Sequence, residues 1–111
     1  ALGEIGLDYY WKDVPSDKQK DVFIKQIEIA KRYNKPIVIH ARDAYEDTYN
    51  ILRDAAHYGI MHCYSGSVEM ARRYIEIGFK ISFDVSLSTL SINLFSALFA
   101  SFNSSFSCLI S

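Results

Sequence analysis

The stretch Pro36-Ile37-Val38-Ile39-His40-Ala41-Arg42 decides how this chain is read. Three β-branched residues in succession, behind a proline and ahead of a histidine, predict a strand buried on both faces, as in a parallel sheet. Upstream, Phe23, Ile27 and Ala30 recur at helical spacing, and Asn34 with Pro36 stops that helix. Ser16-Asp17-Lys18-Gln19 stands at its start as a capping box, able to satisfy free N–H groups. Before it lie a short Gly-punctuated apolar run, Ala1 to Leu7, and a loop from Asp8 to Pro15. Downstream, Asp43 and Glu46 occupy the positions of a second capping box. The helix they open runs through Ile51, Leu52 and Ala55 to Gly59. Ile60-Met61-His62-Cys63 reads as a third strand, Ser67 to Ile77 as a helix closed by Gly78, and Phe79 to Phe83 as a fourth strand.

Strands alternating with helices place the chain in the α/β class, built of parallel βα units joined by right-handed crossovers. Two architectures suit that order: an open doubly wound sheet, or part of a TIM-like (β/α)8 barrel. A complete barrel takes about 250 residues, whereas this chain has 111. Four strands amount to about half of one. The expected domain is therefore 1–83. The tail 84–111 has a different character: serines alternate irregularly with Leu and Phe, and Gly, Pro, Lys and Arg are all missing from it. It reads either as an atypical helix or as sequence foreign to the fold, such as translation past a frameshift or an unspliced boundary.

Composition narrows the function. Half of the chain is apolar and 23% is charged, which is too apolar for disorder. A net charge of −1 gives no strong electrostatic case for coating nucleic acid or an anionic membrane. No apolar stretch reaches the ~18–20 residues needed to span a bilayer, so no membrane partner is expected. Two cysteines make no disulfide scaffold, and the expected location is cytoplasmic.

The residues able to do chemistry fall at strand ends, which share one rim in parallel α/β folds. Glu4 is expected at the end of the first run with Asp8 just beyond it, while His40 and His62 end the second and third strands. One carboxylate and two imidazoles suit a divalent cation, and each residue alone equally suits a hydrogen-bonding or capping role. Arg42 is placed either to hold a phosphate or to pair with a carboxylate. Cys63 alternates with His62, which predicts a buried side chain on the opposite face. His57 is expected at an exposed helix end. Tyr9-Tyr10-Trp11 offers either a stacking surface for a nucleobase or a plug for one end of the core.

Taken together, Gly3-Glu4-Ile5-Gly6-Leu7-Asp8-Tyr9-Tyr10, Pro36 to Arg42, and Met61-His62-Cys63-Tyr64-Ser65-Gly66 closely resemble the TatD family of metal-dependent hydrolases. The likeness runs in order from Ala1 to about Phe83. It implies a barrel fold and a site for two divalent ions, with Mg, Mn and Zn undistinguished, at which a metal-activated water attacks phosphodiester bonds in DNA. It also implies Glu4 as bridging metal ligand and catalytic residue, His40 and His62 as further ligands, and Arg42, Ser65 and Gly66 at the substrate mouth. The family's His-x-His strand and Thr-Asp-Ser-Pro-like motif do not occur in these 111 residues. Weak or no nuclease activity is therefore expected of this chain alone. Two other readings stand beside this one: a hydrolase of another ester or amide, and a non-catalytic half-barrel that oligomerises.

Overall fold

The elements follow from local chemistry and assemble in chain order. In a computed structural model, the described residues are 1–83 and 109–110. The strands are β1 (Leu2–Asp8), β2 (Ile37–Arg42), β3 (Gly59–Met61) and β4 (Lys80–Phe83); the helices are α1 (Ser16–Arg32), α2 (Tyr45–Ala55) and α3 (Val68–Glu76). The sheet order is β1-β2-β3-β4, every pair parallel, with a two-residue strand β5 (Leu109–Ile110) beside β4. This is the βα repeat expected from the sequence. Apart from β5, the Ser-rich tail lies outside the described residues. Among the described residues no helix is long and apolar enough to cross a membrane.

The helices cover one face of the sheet. Ile5, Leu7, Ile37, Ile39, Met61 and Ile81 point into that layer and are almost wholly buried. Phe23, Ile27 and Ala30 of α1, Leu52 of α2, and Ala71, Tyr74 and Ile75 of α3 close over them. Each of the Ile, Leu, Met and Phe side chains removed from water contributes roughly 1.5–3 kcal/mol. The opposite face is open: Val38 is half-buried between the fully buried Ile37 and Ile39, so β2 is sealed on one face and not on both. A continuous β-branched run gives the same signal in either case, because it records strand propensity as well as burial.

β1 and β2 approach closely because of Gly6. Its φ is +147°, and a Cβ there would run into the His40 carbonyl. The pairing is regular except for a shift between Gly3 and Ile5, which leaves Glu4 as an extra residue.

The helix starts differ from the expected capping boxes. The N-cap of α1 is Pro15, and Ser16 is already helical with no capping hydrogen bond. Gln19 instead reaches back to the loop, accepting from Asp8 N at 2.9 Å and donating to the carbonyls of Asp8 and Val14, each at 3.0 Å. The N-cap of α2 is Ala44, preceded by Asp43 at φ +53°, and the Glu46 side chain forms a two-pronged pair with Arg73. In both places a tertiary partner outcompetes the local cap. α3 does have a side-chain cap at its start, Ser67 Oγ accepting from Met70 N at 3.1 Å. Ala56, in the left-handed region, terminates α2, and Gly59 already belongs to β3.

Candidate metal centre

One row of the sheet organises the site. Ile5, Ile39 and Met61 are partners across β1, β2 and β3, and all three turn towards the helices. Side chains alternate along a strand, so the residues on either side of that row face the open side. Glu4 precedes the row on β1, His40 follows it on β2, and His62 follows it beyond β3. Glu4 is therefore a mid-strand residue, three positions into β1 and not at its end. The bulge after Gly3 gives it the place from which its carboxylate crosses β2.

That crossing is the central contact. Glu4 Oε1 lies 3.3 Å from His62 Nε2 although β2 runs between their strands. The His62 backbone is fixed by its N–H, which donates to Ile39 O at 2.8 Å. His40 Nε2 lies 2.9 Å from Asp8 Oδ2, and Asp8 Oδ1 accepts from Tyr10 N at 3.0 Å. Partial burial pushes the Asp8 carboxyl up, but the His40 and Tyr10 hydrogen bonds and the neighbouring His40 and Arg42 charges outweigh it. The net result is a carboxyl below the usual aspartate range. It stays ionised at neutral pH.

The three expected ligands thus lie on the open face, Glu4 before and His40 and His62 after the Ile5–Ile39–Met61 row, and with Asp8 they form two carboxylate–imidazole pairs. Among the described residues no three or more His, Cys, Asp or Glu side chains are gathered closely enough to hold one metal ion, so the convergence of Glu4, His40 and His62 on a single point is not seen. The donor chemistry nonetheless fits a divalent ion. Neighbouring donors on a tetrahedral cation with bonds of about 2.0–2.2 Å are roughly 3.4 Å apart, close to the 3.3 Å between Glu4 and His62.

The rest of the mouth is set by tyrosines. Ser65 is exposed, its N–H donating to Tyr45 Oη at 3.2 Å and its Oγ 3.1 Å from the same oxygen. Gly66 sits against the buried Tyr64 ring, whose hydroxyl donates to Ser67 O at 2.6 Å. Arg42 ends β2 with its guanidinium 3.9 Å above the Tyr10 ring. Cys63 departs from the sequence expectation. It is exposed, at φ +49°, with Sγ 3.2 Å from His62 Nε2. β3 has ended at Met61, so strand alternation no longer applies to it. His57 binds the Lys35 carbonyl through Nε2 at 2.7 Å, away from the rim. From the sequence Asp8 stands at the rim just beyond the first run but is not among the expected ligands. Its position two residues after Gly6 in a strand of alternating burial was the available signal.

Known proteins carry the same arrangement of sequence. Residues 1–98 match the family described as TatD related DNase. The chain belongs to the TatD family. It is 51% identical over 86 residues to a Bacillus subtilis protein named uncharacterized metal-dependent hydrolase YabD, a match covering 75% of this chain and 34% of YabD. An Escherichia coli K12 protein, uncharacterized metal-dependent hydrolase YcfH, is 42% identical over 86 residues, covering 75% and 32% of the two chains. The TatD chain described here thus spans about a third of these curated relatives. Among solved structures, the TatD homolog YJJV from Escherichia coli K12 superposes with a TM-score of 0.78 at 26% identity, covering 93% of this chain and 40% of that one. The parallel sheet is accordingly part of a TatD-type barrel.

Proposed function

We propose that this TatD chain carries part of the active site of a metal-dependent hydrolase that cleaves phosphodiester bonds in DNA. The observation that carries the reading is the Glu4–His62 contact across β2, beside a second carboxylate–imidazole pair, Asp8 with His40. Glu4, His40 and His62 would hold divalent metal, and the bound ions would supply an activated water and a positive charge for the developing phosphorane oxygens. Asp8 orients the His40 ring by accepting from or pairing with Nε2, which sets which ring nitrogen is left for a ligand. Arg42 and the Ser65-Gly66 turn would receive the substrate, with the guanidinium able to grip a phosphate through two N–H groups. The relatives' names support metal-dependent hydrolysis, and the family description supports DNA as substrate.

The test is a substrate panel with the purified chain: a DNA oligonucleotide, an aryl phosphodiester, an aminoacyl ester and a cyclic amide, each with Mg, Mn or Zn. Slow DNA cleavage that EDTA quenches and Glu4→Ala abolishes is the expected result. Preferential attack on the ester or amide would overturn the assignment of DNA. Turnover unchanged by EDTA would overturn the metal. No turnover of any substrate, accompanied by self-association, would favour the non-catalytic reading.

A further inference from the structure

Tyr10 and Trp11 are more than half exposed and do not plug the core. The aromatic residues packed beneath the rim come instead from α2, from α3 and from the segment between β3 and α3. Tyr64, in that segment, is buried, and its ring meets those of Tyr45, Tyr74 and Phe83 edge-to-face, with centroids 5.1, 6.3 and 6.4 Å apart. Tyr45 is the first residue of α2. Asp43, at φ +53°, turns the chain out of β2, and the Tyr45 carbonyl then accepts from Tyr74 Oη of α3. Tyr45 is thus fixed at its backbone by α3 and at its ring by Tyr64, and its hydroxyl extends to the rim.

There it meets Ser65. The Ser65 N–H donates to Tyr45 Oη at 3.2 Å, and Ser65 Oγ lies 3.1 Å from the same oxygen. The residues just before are held differently: His62 N donates to Ile39 O of β2 and Tyr64 N to Ser82 O of β4, each at 2.8 Å. The sheet fixes the histidine, and a side chain fixes the turn that follows it. Gly66 lies flush on the same two rings, since an added Cβ would stand 2.6 Å from Tyr64 Oη and 3.2 Å from the Tyr45 ring. Tyr64 cannot yield, being buried with its hydroxyl donated to Ser67 O. We infer that Tyr45 is a positioning residue for substrate, its hydroxyl holding the Ser65-Gly66 turn in place independently of the metal ligands. This inference rests on the reading above that the turn receives substrate. A turn ordered in advance loses less freedom when substrate binds. The gain belongs to substrate and transition state alike, so it appears in KM and not in kcat.

The experiment compares the full chain with Tyr45→Phe, which keeps the ring on Tyr64 and removes only the hydroxyl. With Mn and an aryl phosphodiester, Tyr45→Phe should raise KM about fivefold and leave kcat unchanged. In EDTA, hydrogen exchange at the Ser65 amide should accelerate, while the Tyr64 amide, bonded to Ser82, keeps its rate. Zn should stabilise both chains equally against heat, because the sheet and not Tyr45 holds His62. Gly66→Ala, which displaces the turn and leaves the hydroxyl, should reproduce the rise in KM. An unchanged KM in either variant, or an unchanged Ser65 amide in Tyr45→Phe, would overturn the inference. So would a fall in kcat together with lost Zn stabilisation, which marks a general structural role. A lower KM in Tyr45→Phe would also overturn it, by showing that the hydroxyl competes with substrate for the Ser65 N–H. A parent chain that turns over no phosphodiester would remove the proposed function and this role with it. EDTA-sensitive turnover that is indifferent to Tyr45→Phe would remove this role alone.

Discussion

Gln19 holds the backbone of Asp8 from both sides, accepting from its N–H at 2.9 Å and donating to its carbonyl at 3.0 Å. One side chain in the first turn of α1 thereby joins the helix to the end of β1 and fixes the loop that carries Tyr10 and Trp11. Gln19→Ala should cost about 1–3 kcal/mol of unfolding free energy, as several partly buried polar groups lose a partner at once. Gln19→Glu should cost more, because a carboxylate oxygen would replace the amide donor that faces two carbonyls. Urea titration distinguishes them. Equal stability of both variants and the parent would show that the loop is held by other contacts.

Metal should stabilise the fold through the same donors. At a concentration near one hundred times its dissociation constant, a divalent ion that binds only the native chain adds about 2.7 kcal/mol. Thermal unfolding with and without Zn or Mn is expected to show that gain, EDTA to reverse it, and Glu4→Ala or His62→Ala to remove most of it. Undiminished stabilisation in Glu4→Ala would place the ion elsewhere.

The two serines at helix starts should behave oppositely. Ser67 caps α3 through its hydroxyl, so Ser67→Ala should destabilise by about 1 kcal/mol. Ser16 is already inside α1 and caps nothing, so Ser16→Ala should stay within about 0.5 kcal/mol of the parent. Chemical denaturation of the pair of variants checks both at once.

Thr48 offers a route to a more stable chain. Its Oγ1 is, among the described residues, a fully buried side-chain oxygen without a hydrogen-bond partner. Thr48→Val keeps the shape and removes the desolvated hydroxyl, and should raise unfolding free energy by about 1 kcal/mol. A loss of stability would mean that the hydroxyl is satisfied in solution.

Acid should undo the brace between the loop and α2. The Tyr9 hydroxyl and then the Lys20 ammonium, at 3.1 Å, hold the Asp47 carboxyl below the usual aspartate range, against a smaller opposing effect of burial. A carboxyl whose folded value is depressed contributes stability above its unfolded value of about 3.9, and loses it as pH falls through the folded value. Asp47 is partly exposed, so the effect is limited to roughly 0.2–1 kcal/mol. The gap in stability between the parent and Asp47→Asn should therefore be present at pH 6 and narrow as pH falls below the ordinary aspartate range. A gap that acid does not narrow would assign it to packing.

Much of this molecule was legible in its residues before any coordinates. The branched run at Ile37, the helical spacing of Phe23, Ile27 and Ala30, and Gly78 after α3 are local signals, because backbone geometry repeats every two or 3.6 residues whatever the chain packs against. They determined the βα order, and the motifs around Glu4, His40 and His62 determined the family. Tertiary structure decided the rest. That Glu4 sits mid-strand and reaches His62 over β2 depends on a register shift against a strand more than thirty residues away. Gln19 and Glu46 left their expected caps for distant partners, and Cys63 turned outward once β3 ended. Which face of the sheet stays open, and which aromatic side chains stand on its rim, are properties of pairing between strands. Pairing is a long-range choice, and no window of neighbouring residues contains it.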